Sequence, residues 1–374
     1  MEELHIFNTT DVHGELNEGF FGAVQMMDDY PSTLRIDNGD FFAGRPFATF
    51  GRVKGGKSPL VQTANEVSYD AMIPGNHDFD YGIDWLKKQV KYLDAEYLCA
   101  NVYDADWDLL FKPYKVIEKA GMKIGVVGLV TEALNQLIPV KYHSDIRTRP
   151  VNDVLPAVLK ELSYCDLIIV AYHGGLTRDP NTGAVWSYSS LEDNAYEIVS
   201  RYPEIDVLIC GHQHFINSGT HPELGTAIVQ PGSHGQAMGH QMVVDGQIVS
   251  NQIHEFSDTE DHYPKGYYKW LSKPIDLEKV DKYISKRYKA DLIFVDYHAA
   301  TIGELAAEMD HPFPLGRYLI KGFELIELGL IEGVKDELKL YSVIASPGLI
   351  PTTYLVKDYL INLFSDVMTE ISVK

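Results

Sequence analysis

Five stretches of the chain place histidine, aspartate or asparagine just beyond short apolar runs. "LHIFNTTDVHG" leads into Asp11 and His13, and "STLRIDNGD" into Asp37, Asn38 and Asp40. "YDAMIPGNHDFDYG" delivers Asn76, His77 and Asp78, "CDLIIVAYHGG" delivers His173, and "IDVLICGHQH" delivers His212 and His214. Any one such residue reads as a cap, a turn or a surface group. Together they place five of the fourteen histidines at expected strand ends beside carboxylates and an amide. Imidazole, carboxylate and amide oxygen in one set suit borderline and hard divalent cations. If the backbone stays extended, the i, i+2 spacing of Asp11/His13 and of His212/His214 sends both side chains of each pair to one side. Gly39, Gly75 and Gly211 allow close turns around such a site.

The elements that must position these residues are legible as well. Up to about residue 255 the apolar runs are short, rich in β-formers and separated by helix-like segments, the alternation of a layered α/β fold. In such folds the ends of strands are where sites form. A second phosphate-type signal competes: "GRVKGGKS" fits G-x-x-x-x-G-K-[ST], with Gly51, Gly56, Lys57 and Ser58 in the defined places. That pattern holds phosphate only between a buried strand and a helix. The preceding "FFAGRPFATF" is broken by Gly44 and Pro46, and residues 41 to 70 leave little room for a P-loop domain. The stretch therefore reads as a loop after Asp40.

With 32 basic and 53 acidic residues, the net charge of −21 disfavours nucleic acid polymers and anionic membranes as partners. A phosphate-bearing substrate then calls for bound cations. Cys99, Cys165 and Cys210 form no C-x-x-C pair and read as small buried residues. "MEELHIFNTT" has neither the basic start nor the apolar run of a signal peptide, and no apolar run reaches the ~18 residues of a membrane span. The expected location is cytoplasmic as the sequence stands, or extracellular or periplasmic if a leader was trimmed.

In this order, D-x-H, G-D, G-N-H-D, a separate H and G-H-x-H resemble the calcineurin-like metallophosphoesterases. The flanking "FNTTDVHG", "DNGDFFAG", "PGNHDFDYG", "AYHGG" and "VQPGSHG" are similar to the branch of 5′-nucleotidases and 2′,3′-cyclic-nucleotide 2′-phosphodiesterases. "DNGD" and the text before "GHQH" look closer to the cyclic phosphodiesterase/3′-nucleotidase members. The resemblance implies a four-layer α/β/β/α metallophosphoesterase sandwich and two divalent metal ions, of Mn, Fe, Zn, Co or Ni. Asp11, His13, Asp40 and His214 would hold one, and Asp40, Asn76, His173 and His212 the other, with Asp40 as the bridge. His77 would face the phosphate with Asp78 orienting its ring, and a metal-bridging hydroxide would attack phosphorus. The implied substrates are 2′,3′-cyclic nucleotides and 3′-nucleotides; 5′-nucleotides are the alternative, and a non-catalytic binding protein is a further one.

The expected domain organisation is a metallophosphoesterase domain over 1–256, a linker over 257–274 and a reduced C-terminal α+β domain over 275–374. The family's N-G-G-x-R-like substrate motif is missing from this tail. Tyr267, Tyr268, Phe313 and Tyr318 are candidates for stacking on a base, though aromatic residues in such a segment more often belong to a core.

Overall fold

The short apolar runs form the parallel strands of two sheets in the computed structural model, which describes residues 3–187, 191–257, 262–294, 299–309, 316–328, 330, 338–345, 358–359 and 363–372. The chain packs as two units, Met1–Gly44 with Gly56–His262, and Arg45–Gly55 with Tyr263–Lys374.

In the first unit, one six-stranded sheet runs in the order Gln247–Glu255, Ala237–Val244, Glu3–Thr9, Thr33–Asp37, Ala71–Met72, Glu96–Tyr97. The last four of these strands are parallel. The first two form a hairpin, turned at Asp245–Gly246, that adds antiparallel to Glu3–Thr9. The second sheet has the order Ile216–Thr220, Ala227–Pro231, Val207–Ile209, Leu167–His173, Met122–Val130, Tyr114–Lys119, and its four central strands are parallel.

Strand alternation decides the layering. Leu4, Ile6, Leu34 and Ile36 share one apolar cluster with Ile124, Val126, Ile169 and Val229, so the two sheets bury a face against each other. The opposite face of the second sheet sends Val127, Leu129, Ile168 and Val170 to the helices Val151–Glu161 and Ala195–Arg201. Beside the Ala237–Val244 strand, helix Glu18–Asp28 buries Phe20, Ala23 and Met27. Its N-terminus is capped by Asn17, whose Oδ1 accepts from the Phe20 amide. Helix, sheet, sheet, helix is the expected sandwich.

Three histidines join neighbouring strands on the first sheet. His5 Nδ1 lies 2.8 Å from His240 Nε2, His240 Nδ1 lies 3.0 Å from His254 Nε2, and His5 Nε2 lies 2.7 Å from Glu3 Oε1. One proton per ring, all facing the same way along the chain, satisfies every bond; a second proton on His240 sets N–H against N–H. Burial and the neighbouring His254 and His5 push the His240 ring down to about 4. Its folded value lies below the ordinary ~6.5 of an unfolded histidine, so the unfolded chain binds more protons as pH falls from 6.5 to 4. Its contribution is full above pH 6.5 and is lost through that window. The melting temperature of the wild type should therefore fall more steeply from pH 6.5 to 4 than that of His240→Gln; parallel curves would refute the assignment.

The segment expected as a linker is not one. Lys265–Leu271 is a helix that buries Tyr267 and Trp270. Its partners come from far earlier in the chain: Phe47 packs on Tyr263 and Tyr267, and Phe50 on Trp270, all within the second unit. Helix Pro46–Lys54, which carries Phe47 and Phe50, belongs to that unit, and its Arg52 meets Ser365 and Asp366 at 3.0 and 3.3 Å. The rest of the second unit contains helix Leu277–Tyr288 and a sheet ordered Leu292–Phe294, Leu340–Ala345, Gly316–Lys321, Asp358–Tyr359. Tyr267 and Tyr318 are core residues, Tyr268 is exposed, and Phe313 lies outside the described residues.

The P-loop pattern dissolves in this architecture. Gly51 lies inside helix Pro46–Lys54, and Gly55 and Gly56 form an open turn at positive φ. Ser58 then caps helix Pro59–Val67 by accepting from the Leu60 amide. No strand feeds the loop, Lys57 is exposed, and half of the expected loop is helix.

Candidate metal centre

Because the central strands of each sheet are parallel, their C-terminal ends all open onto one edge. Thr9, Asp37 and Met72 end strands of the first sheet, and His173 and Ile209 end strands of the second. The loops leaving these ends carry every residue singled out above.

Those loops do not stay extended. Asp11, His13 and Asp40 have φ of 52°, 52° and 55°, and His212 and His214 have 73° and 61°. The left-handed region disfavours non-glycine residues by roughly 1 to 2 kcal/mol each, so five of them cost an amount comparable to a domain's net stability. Such strain persists only where surrounding bonds impose it. The expectation of side chains sharing one side of an extended backbone is therefore corrected: left-handed residues set Asp11 and His13 into one ligand group and send His212 and His214 to different ones. Close packing of the turns needs the glycines. A Cβ on Gly75 would collide with the Asp40 carboxylate, one on Gly39 with the Gly75 amide, and one on Gly211 with Thr10 Oγ1.

Two groups result. Asp11, His13 and His214 each offer a ligand atom within 4.8 Å of the others, and so do Asp40, His173 and His212. Asp40 lies between them: Oδ2 is 3.2 Å from His173 Nε2 and 3.8 Å from His13 Nε2. His214 Nε2 lies 3.4 Å from Asp11 Oδ1 and 3.1 Å from His13 Nε2.

The residues around these groups fix which atom faces inward. His173 Nδ1 donates to the Asn38 carbonyl at 2.7 Å and His13 Nδ1 to the Ala43 carbonyl at 3.0 Å, leaving both Nε2 atoms for the centre. His212 Nε2 bonds Glu192 at 2.8 Å, which turns Nδ1 inward. Asp11 is held by the His212 amide and by the Thr10 hydroxyl. Buried Asn76 Oδ1 has no hydrogen-bond partner. A buried polar atom without a partner is costly, and a dication is a partner that it fits. The donor set and this orphaned atom therefore suit a pair of divalent ions.

Burial would raise the Asp11 and Asp40 carboxyls, yet His173 and the other histidines outweigh it, holding Asp11 below and Asp40 well below the usual range. Burial would likewise lower His173, but Asp40 and Asp11 push it up to about 10. A proton on His173 thus balances the carboxylates, whereas burial pushes the His13 ring down to about 4; a cation entering the site would displace the His173 proton.

His77 stands beside the centre. Its amide donates to Asp40 Oδ1 at 2.7 Å, its ring meets His13 edge-on at 5.3 Å, and the side chain is 37% exposed, within reach of an incoming ligand. The expected partner of that ring, Asp78, is a correction. His77–Phe79 is a 3₁₀ helix, in which residues three apart share a side. Asp80 therefore meets the His77 Nδ1 at 2.7 Å. Asp78 points instead into the strand-end loops and accepts from the amides of Asp40, Phe42 and Gly75 and from the Tyr97 hydroxyl. Burial and the adjacent Asp40 push its carboxyl up to about 7. Burial acts against a charged His77 ring, but Asp80 and Asp40 push it up to about 10. Sequence reasoning missed Asp80, Glu192 and His234; only Asp80 had a readable signal, the i, i+3 spacing in "HDFD".

Paired His/Asp clusters at the strand ends of two sheets form a candidate metal centre in an α/β sandwich. Residues 4–215 match the calcineurin-like phosphoesterase family, and the chain belongs to that family. Among its relatives, a 2′,3′-cyclic-nucleotide 2′-phosphodiesterase/3′-nucleotidase of Salmonella typhimurium is 26% identical over 249 residues, covering 58% of this chain and 37% of the relative. A 5′-nucleotidase of Vibrio cholerae is 29% identical over 228 residues, covering 56% and 40%. The matched stretch thus spans well under half the length of these relatives. In architecture the chain is similar to a Staphylococcus aureus structure described as a 5′-nucleotidase, with a TM-score of 0.72 and 18% identity over 100% of this chain and 97% of that one. Among the described residues no helix is long and apolar enough to cross a membrane.

Proposed function

We propose that this chain hydrolyses small nucleotide phosphoesters, with 2′,3′-cyclic nucleotides and 3′-nucleotides as its substrates. The observation that carries the reading is the placement of Asp40 between two groups of metal-type ligands, with the partly exposed His77 bonded to it. Asp11, His13, Asp40 and His214 would hold one ion, and Asp40, Asn76, His173 and His212 the other. When bound, such ions act as Lewis acids on a phosphoryl group and lower the pKa of a coordinated water.

The chain's own residues do the rest. Asp40 would place an anion between the two cations and so lower their mutual repulsion. In a protein of net charge −21, bound cations would be what admits a phosphate. His77 donates to a phosphoryl oxygen or to the departing oxygen, and Asp80 holds its ring through Nδ1 so that Nε2 carries the working proton. Asp78 keeps the loops of Asp40 and Gly75 at the spacing that the bridge requires.

Hydrolysis of 5′-nucleotides is the second reading, supported by the Vibrio cholerae relative's name. Release of product from 2′,3′-cAMP, 3′-AMP and 5′-AMP by the manganese-loaded protein separates the two. Preference for the first two substrates supports the proposal; preference for 5′-AMP replaces it with the second reading. Phosphate binding without turnover of any nucleotide would indicate a binding protein.

A further inference from the structure

His234 is a sixth imidazole at this centre and has no role in the reading above. Its ring lies 5.2 Å from that of His13 and 5.3 Å from that of His214, and 88° edge-on to the latter. It is not within the close group formed by Asp11, His13 and His214. The ring therefore lies beside that group without belonging to it.

The backbone is arranged to keep it there. His234 has φ 53°, a conformation shared with Asp11, His13, Asp40, His212 and His214. Elsewhere in the chain, Ser68 and Lys289 end helices at positive φ, and Ala120 and Asp245 make hairpin turns followed by glycine. His234 is likewise followed by a positive-φ glycine, Gly235, in a turn closed by the Gln236 amide on the Ser233 carbonyl, but its backbone is also held from outside that turn. Its amide donates to the Asp11 carbonyl at 2.8 Å, and Asn17 Nδ2 donates to its carbonyl at 2.8 Å. Asn17 is also the cap of helix Glu18–Asp28, so a helix start and a ligand loop together clamp one strained residue. Ser233 Oγ lies 2.8 Å from the ring Nδ1. With the serine hydroxyl donating, the proton of the neutral ring sits on Nε2.

We infer that His234 is a phosphoryl-binding residue, its Nε2–H donating to a non-bridging oxygen of a phosphate group held on the Asp11/His13/His214 side. The inference rests on the metal-dependent phosphoesterase reading. A hydrogen bond to a charged group is worth enough to shift binding by tenfold or more.

The test uses the full chain loaded with manganese, titrated calorimetrically with inorganic phosphate, a readout independent of turnover. His234→Phe keeps a ring of similar size and removes the donor; His234→Gln keeps a donor. The expected result is two metals per chain in all three proteins, phosphate affinity about tenfold weaker in His234→Phe, and most of that loss recovered in His234→Gln. The KM of bis-p-nitrophenyl phosphate should rise in parallel, with a smaller change in kcat. Unchanged phosphate affinity in His234→Phe would overturn the inference, and so would loss of metal, which would make His234 a ligand or a structural support. A wild type that binds phosphate on its metals yet turns over no ester would defeat the functional reading and leave this one standing.

Discussion

Asp40→Ala is expected to strip at least one metal ion from the chain and to abolish phosphoesterase turnover. Asp40 Oδ2 lies within 3.2 to 3.8 Å of a histidine from each ligand group, and Oδ1 accepts the His77 amide. Removing the carboxylate takes a ligand from both positions and the anion from between two dications. At the ~4 Å separation usual for such pairs, their repulsion in a protein environment amounts to several kcal/mol or more. It also frees the His77 loop, so the loss falls on metal affinity and geometry together. Metal content by plasma mass spectrometry and turnover of bis-p-nitrophenyl phosphate check this. Two retained ions in Asp40→Ala would mean that Asp40 is not the bridge.

His77→Gln should behave differently, keeping both metals while kcat falls by about 10²- to 10⁴-fold, the usual worth of a positioned proton donor. His77 contacts Asp40 through its amide, which the substitution preserves, and its ring is bonded to Asp80 outside the ligand groups. Asp80→Asn should produce a smaller loss of about 10- to 100-fold, as expected of a residue acting through another. Its rate profile should also lose activity at a lower pH than the wild type's. Asp80 raises the His77 pKa, so the proton needed on the ring is given up earlier without it. Metal loss from His77→Gln would place that histidine among the ligands.

The sequence made much of this legible, for particular physical reasons. Continuous apolar runs such as "DLIIVAY" are what a parallel strand buried on both faces requires, and the polar residues ending them mark where the strand leaves the core. The fold class and the convergence of the five clusters follow from that. The local backbone did not. Nothing in "DVH" or "HQH" announces left-handed turns, because aspartate and histidine, though more tolerant of that region than most residues, occupy it in only a small fraction of cases and surrounding bonds decide which. The orienting role that the resemblance implied for Asp78 falls to Asp80, because three residues per turn brings Asp80 to the His77 ring. The segment after residue 256 looked exposed because its aromatic residues find partners in Phe47 and Phe50, which no local pattern reveals. His234 was hidden between Gly232 and Gly235 in a stretch that reads as a turn.

The most direct test of the account is the stoichiometry of its centre. The full chain is freed of metal with a chelator, then titrated with Mn²⁺ while bound metal and bis-p-nitrophenyl phosphate turnover are followed together. The account predicts saturation at two ions per chain, with turnover appearing as the second site fills. Turnover that is complete at one ion, or undiminished in the chelated protein, would contradict it.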